Sequence, residues 1–160
     1  MQEIKIVVTP IDFSDNAKMI ADSAAYVAGK FGAELHLVFV AQNFEDYSGF
    51  FVPPVNLPNL TKDLLESAQQ KMEEFAESCR EQAAAAGVPA LRSHVLTGDV
   101  AEEIINYAKE VRSNMIVMGT HGYKGLERIM FGSVADKVVK TACCPVLTIN
   151  PYRQDCGGQD

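Results

Sequence analysis

Four residues set the chemistry that this chain can offer: Gly119 and Gly122, separated by Thr120 and His121, and, nine residues further on, the pair Gly132-Ser133. Glycine lets a backbone turn sharply and lets another molecule approach it with no Cβ in the way. Gly132-Ser133 opens a helical pattern. The start of a helix leaves N–H groups without intrahelical acceptors at the positive end of the dipole, an arrangement that suits an anion, phosphate foremost. Ser133-Val134-Ala135-Asp136 also reads as a capping box in which Asp136 takes up the Ser133 amide. Asp reaches less well than Glu, which favours the anion.

The side chains nearby divide into a sharper candidate and weaker ones. Asp12, at the end of the first apolar run, either accepts hydrogen bonds at the mouth of a site or serves as a helix-start residue competing with Ser14 as cap. His121, Lys124 and Arg128 are within reach of a phosphate, but cations on surface loops are usually solvated. The parts of a fast nucleotide hydrolase are missing: there is no G-x-x-x-x-G-K-[ST] and no evident residue to orient an attacking water. Neither G-x-S-x-G nor HExxH occurs. Binding is better supported than turnover.

Charge and cysteine usage narrow the partners. A formal net charge of -7 argues against nucleic acid, which needs a clustered surplus of Lys and Arg, though not against a nucleotide held by a few amides. Cys79, Cys143, Cys144 and Cys156 form no CxxC and no metal-ligand spacing with His36, His94 and His121. They read as plain thiols, with redox activity of the adjacent Cys143-Cys144 pair as the lesser alternative. The N-terminal residues do not resemble a signal peptide and no apolar run is long enough for a membrane span, so a cytoplasmic location is expected.

Strands and helices alternate along the chain. Residues 4–8 are almost wholly apolar, as in a strand covered on both faces. Ser14 then reads as an N-cap, and Ala17, Ile20, Ala21, Ala24, Ala28 and Phe31 recur at helical spacing until Gly32. Residues 34–40 form a second strand, and residues 41–60 a long connection whose Phe44, Tyr47, Phe50 and Phe51 read equally as a lid or as packing over a helix end. A helix runs from Thr61 to the stop at Gly87. Leu91–Leu96 is a third strand, and Asp99 caps a third helix with Glu102 at the capping-box position. Met115–Met118 is the fourth strand, followed by the glycine loop and a fourth helix that Cys144-Pro145 ends before a fifth strand, Val146–Ile149. Five such alternations give an open parallel α/β sheet with helices on both faces, in one domain over 1–150 with a polar, flexible tail over 151–160. Ligands in such sheets bind beyond the strands' carboxyl ends, where successive connections diverge; if the first and fourth strands are neighbours, residues 9–12 face 119–122.

The spacing Gly119-x-x-Gly122, nine residues, Gly132-Ser133 resembles the nucleotide-binding signature of the universal stress protein family, in its ATP-binding branch. The likeness extends to Val8-Thr9-Pro10-Ile11-Asp12-Phe13-Ser14, Thr97-Gly98-Asp99, Ile116-Val117-Met118-Gly119-Thr120 and Cys144-Pro145-Val146-Leu147, in family order. The resemblance implies a Rossmann-like, adenine-nucleotide alpha hydrolase-like fold with strand order 3-2-1-4-5. By the same resemblance Pro10, Ile11 and Asp12 line the nucleoside side, Val40 offers backbone groups to adenine, and Met118, Gly119 and Gly122 lie beside ribose and phosphates. Gly132, Ser133 and Val134 hold the phosphates. The implied ligand is ATP, or AMP or ADP, with Mg²⁺ or Mn²⁺ carried mainly on the phosphates. The family also implies a homodimer through Val146–Ile149, an edge strand with reason to associate. Many relatives have Asp where this chain has Asn114, so a cap or ion pair made there is expected to be weaker. The leading expectation is a nucleotide-dependent stress-response module; a slow ATP hydrolase or phosphotransferase and a nucleotide-free dimeric scaffold are the alternatives.

Overall fold

Val7 and Val8 are both wholly buried although they point to opposite faces of their strand, which is possible only if helices cover the sheet on both sides. A computed structural model describes residues 2–42, 57–121 and 132–152, the side chains of 57–61 excepted. In chain order the elements are β1 (Ile6–Pro10), α1 (Ala17–Phe31), β2 (Glu34–Ala41), α2 (Leu57–Ala86), β3 (Leu91–Thr97), α3 (Val100–Glu110), β4 (Met115–Gly119), α4 (Ser133–Thr141) and β5 (Val146–Ile149). The strands pair in parallel in the order β3-β2-β1-β4-β5, as the family resemblance implied.

Two cores result, one on each face. Val7, Leu35, Leu37 and Val117 meet α1 and α2 through Ala21, Ala24, Ala28, Met72, Ala76 and Ala83. Val8, Val38, Ile116 and Met118 meet α3 and α4 through Ile104, Ala108, Ala135 and Val138. The small residues of α1 bring its backbone very close to α2: a Cβ on Gly29 would lie 1.9 Å from the carbonyl oxygen of Ala86. Gly32 ends α1 in the left-handed conformation, its N–H donating to Gly29 O.

Several boundaries differ from expectation, each for a non-local reason. β1 spans Ile6–Pro10 instead of 4–8 because its register is set by β2, from Ile6↔Glu34 to Pro10↔Val38. Ser14 is not the cap of α1: Asn16 holds that position without a side-chain cap, and Ser14 instead offers its carbonyl to Ala17 N. α2 starts at Leu57 instead of Thr61; Pro58 fits a first turn, where its missing N–H costs nothing. Asp99 caps α3 as expected, accepting from Glu102 N at 3.0 Å, but the Glu102 carboxylate takes Lys137 in place of completing the box. Asn114 has a role that the sequence did not show. Its Oδ1 accepts from Lys5 N at 2.9 Å and Ile6 N at 3.1 Å, tying the start of β1 to β4 through bonds that require an oxygen and no charge.

A polar corner lies under α3 at the β2–β3 edge, where Arg92 donates to Glu34 and holds its carboxyl below the usual carboxylate range. The His36 ring is buried between Glu34 (Nε2 to Oε2, 3.4 Å) and Tyr107 (Nδ1 to OH, 2.9 Å). With Nε2–H directed at Glu34 and the tyrosine hydroxyl donating to Nδ1, the neutral ring is satisfied on both sides. Burial lowers the pKa of His36, and also that of His94, whose ring stands 5.1 Å from Tyr107. Burial likewise pushes the Tyr107 hydroxyl up to about 12, with the Glu110 charge adding to it.

Two outcomes are expected. Gly29→Ala lowers stability by about 1–3 kcal/mol in denaturant unfolding, because the new methyl meets backbone that cannot yield without separating α1 from α2. The folded-state pKa values of His36 and His94 lie below the ordinary 6.5, so below that pH the unfolded chain binds more protons. Stability is then fully present above about pH 6.5 and declines as pH falls below it. Tm measured across that range falls, and falls less steeply in His36→Gln.

Candidate functional site

The site begins with a missing hydrogen-bond donor. Odd-numbered residues of β1 bond to β2, as Ile11 N to Val38 O shows, and even-numbered ones face β4, as Asn114 N to Ile6 O shows. On that side the pairing covers Val7↔Met115 and Val8↔Ile116 and stops. The next donor along β1 towards β4 belongs to Pro10, which has no N–H. β1 goes on with β2 as far as Pro10↔Val38, and β4 with β5 as far as Gly119↔Ile149. The two central strands therefore part at their carboxyl ends. Their connections also leave to opposite faces, β1 into α1 and β4 into α4, which makes this crevice the switch point of the sheet.

On the β1 wall Pro10 is half-buried, Ile11 is buried towards α1, and Asp12 is half-buried at the rim. Asp12 Oδ1 accepts from Ser14 N at 3.0 Å, and no second bond to its carboxylate is formed among the described residues. The turn at Phe13 is left-handed, φ 57°, a conformation that is strained for a bulky residue. It is held by the Phe13 ring, whose centroid lies 4.6 Å from that of Phe39 and 6.1 Å from that of Phe75. Thus Asp12 takes its place from an aromatic cluster far away in sequence. Val40 lies beyond the last β1–β2 bond, and strand alternation turns its N–H and C=O to the same side as those of Val38.

On the β4 wall Met118 is buried towards α3 and α4. Thr120 N donates to Ile149 O at 2.9 Å, and Thr120 O accepts from Gly132 N at 2.8 Å. That second bond fixes the start of α4 at the end of β4. Gly132 is the N-cap of α4, with no side-chain cap, and the first bond of the helix runs from Asp136 N to Gly132 O. The Ser133–Asp136 capping box is not formed: Asp136 sits one position too late and pairs with Lys140 at 2.8 Å. The amides of Ser133, Val134 and Ala135 precede the first intrahelical donor, so among the described residues the N-terminus of α4 is bare beside the crevice.

Gly119 has a structural duty of its own. A Cβ there would stand 3.3 Å from Ile20 Cδ1, so its bareness lets α1 pack against the end of β4. Pro10, Ile11, Asp12, Val40, Met118, Gly119, Gly132, Ser133 and Val134 are thus gathered at the carboxyl ends of β1, β2 and β4 and the start of α4. Gly122, Lys124, Arg128 and the aromatic residues of 44–51 lie outside the described residues. Tyr152, placed by sequence in the tail, stacks edge-on against His121; its one sequence signal is a lone aromatic just after Pro151 in a polar stretch. No group of three or more His, Cys, Asp or Glu side chains that could hold a metal occurs among the described residues. Cys79, Cys143 and Cys144 carry free thiols, and no helix among the described residues is long and apolar enough to cross a membrane.

Comparison with known proteins matches this architecture. The family model described as the universal stress protein family fits residues 3–150. Universal stress protein MJ0531 of Methanocaldococcus jannaschii is 35% identical over 156 residues, covering 94% of this chain and 85% of the relative. Among solved structures, universal stress protein UspA from Lactobacillus plantarum superposes with a TM-score of 0.79 at 23% identity, over 94% of this chain and 100% of the other. The universal stress protein from Archaeoglobus fulgidus in complex with dAMP gives a TM-score of 0.61 at 24% identity, over 94% of this chain and 100% of the other. With its strand order and nearly its whole length accounted for, the chain belongs to the universal stress protein family.

Proposed function

We propose that this protein binds an adenine nucleotide, ATP foremost, in the crevice between β1 and β4, and acts as a nucleotide-dependent regulatory module. The observation that carries this reading is the start of α4, where Ser133, Val134 and Ala135 bring amides without intrahelical acceptors beside the divergent strand ends. Anions bind helix starts of this kind through the N–H groups and the dipole together. In this arrangement Gly132, Ser133 and Val134 hold the phosphates, while Met118, Gly119 and Gly122 border the ribose and phosphate chain. Pro10, Ile11 and Asp12 take the nucleoside side, and the N–H and C=O of Val40 pair with the adenine edge. The dAMP complex of the Archaeoglobus fulgidus protein supports an adenine nucleotide as the ligand class for the fold. Mg²⁺ or Mn²⁺ rides on the phosphates, as hard cations that keep their waters do.

The partner in this reading is a second copy of the chain in the cytoplasm. β5 is an edge strand whose Leu147 is 41% exposed, and an apolar edge gains by pairing with another.

Purified protein, denatured and chromatographed, is expected to release an adenine nucleotide, and the emptied protein to show a raised Tm with ATP and Mg²⁺. Absence of both results rules the reading out. Gly122→Val is expected to abolish ATP binding in a folded chain, and unchanged affinity removes the loop from the site. Ser133→Asp separates binding from folding. A carboxylate in the first turn stabilises α4 by about 0.3–1 kcal/mol through the dipole, yet repels phosphate. Titration calorimetry should show ATP affinity lost while Tm holds or rises.

A further inference from the structure

We propose that Tyr152 is a positioning residue for the start of α4: it clamps the His121 ring and through it Thr120, whose carbonyl holds Gly132 N. This inference rests on the nucleotide reading above and adds a residue from beyond β5 to that site. Three segments that leave the carboxyl ends of adjacent strands converge here: Asn16 after β1, Thr120-His121 after β4 and Tyr152 after β5.

Each contact has a consequence for the next. Asn16 stands at the N-cap position of α1 but does not cap it; its Nδ2 donates to the Tyr152 hydroxyl at 3.2 Å. An N-cap Asn normally serves its own helix, so this side chain is diverted to a residue 136 positions away. Tyr152 is oriented from its other end by the bond from its N–H to Asn150 Oδ1 at 3.0 Å. Its ring meets that of His121 nearly perpendicular, at 81°, with centroids 5.1 Å apart, the edge-to-face geometry that aromatic quadrupoles favour. His121 Nδ1 lies 2.8 Å from Thr120 Oγ1.

Thr120 is the junction of the site. Its N–H is bound to Ile149 O in β5, its carbonyl holds Gly132 N at the start of α4, and its hydroxyl meets His121. A His121 ring free to rotate would release one of the three restraints on Thr120, and with it the placement of the α4 amides. Tyr152 blocks that rotation by bulk and by ring geometry. The Asn16 bond to its hydroxyl is exposed and contributes little, so the ring and not the hydroxyl carries the effect.

The test is calorimetric titration of ATP with Mg²⁺ into the wild type, Tyr152→Phe, Tyr152→Ala, His121→Ala and the double alanine variant. Tyr152→Ala is expected to bind roughly fivefold more weakly, the scale of one aromatic pair. Tyr152→Phe should stay within about twofold of wild type, and the double variant should be no weaker than His121→Ala alone, since Tyr152 acts through the His121 ring. Wild-type affinity in Tyr152→Ala overturns the proposal, and so do additive losses in the double variant. A wild type that binds no nucleotide overturns the nucleotide reading instead. The clamp is then judged by amide hydrogen exchange at Thr120 and Gly132, expected to quicken in Tyr152→Ala but not in Tyr152→Phe while core amides such as that of Leu37 are unchanged. Equal exchange at Thr120 and Gly132 in Tyr152→Ala and wild type overturns the clamp.

Discussion

A parallel sheet holds together by a hydrogen bond at each rung, and in this protein one rung is chemically impossible. Pro10 sits where β1 should next donate to β4, and the ladder between the two central strands stops after Val8↔Ile116 while both outer ladders run on. The crevice between β1 and β4 follows from that missing donor. The strand ends are pulled apart by their own connections, one crossing the face of α1 and α2 and the other that of α3 and α4.

The gap becomes useful because Thr120 ties its far wall together. Through its two backbone bonds the same residue holds β5 and the amide of Gly132, the N-cap of α4, so the positive end of that helix is tied to the end of β4. The opposite wall is set in another way. Phe13 accepts a left-handed backbone because its ring is docked between Phe39 and Phe75, and this strained turn holds the Asp12 carboxylate at the rim. Strain at such a position persists only where the surroundings over-determine it. Rigidity is built into both walls before any ligand arrives.

Much of this was legible in the chain. The alternation of apolar runs with helical spacing named the strands and helices, and Gly32 and Asp99 marked a helix end and a helix start where they occur. What the chain did not show shares one trait. Ser14 has the composition of an N-cap, yet α1 starts at Ala17 and Asn16 holds the cap position, its side chain given to Tyr152. The Asn114 oxygen serves two amides from the far end of the fold. Gly119, beside the place its spacing suggests for a ligand, also makes room for Ile20 by its missing Cβ. Each depends on a neighbour distant in sequence.

The sequence by itself determined what each segment is able to form, because helix and strand periodicity, capping residues and glycine placement act over a few neighbouring positions. Tertiary structure alone decided which backbone groups find no partner in the sheet or helix ladders of the described residues: the amides of Ser133 and Val134 at the start of α4, and the rung of β1 at Pro10. A hydrogen-bond register belongs to a pair of strands and to neither of them separately, so its ends, where binding groups stay unspent, come into being only when the strands are brought together.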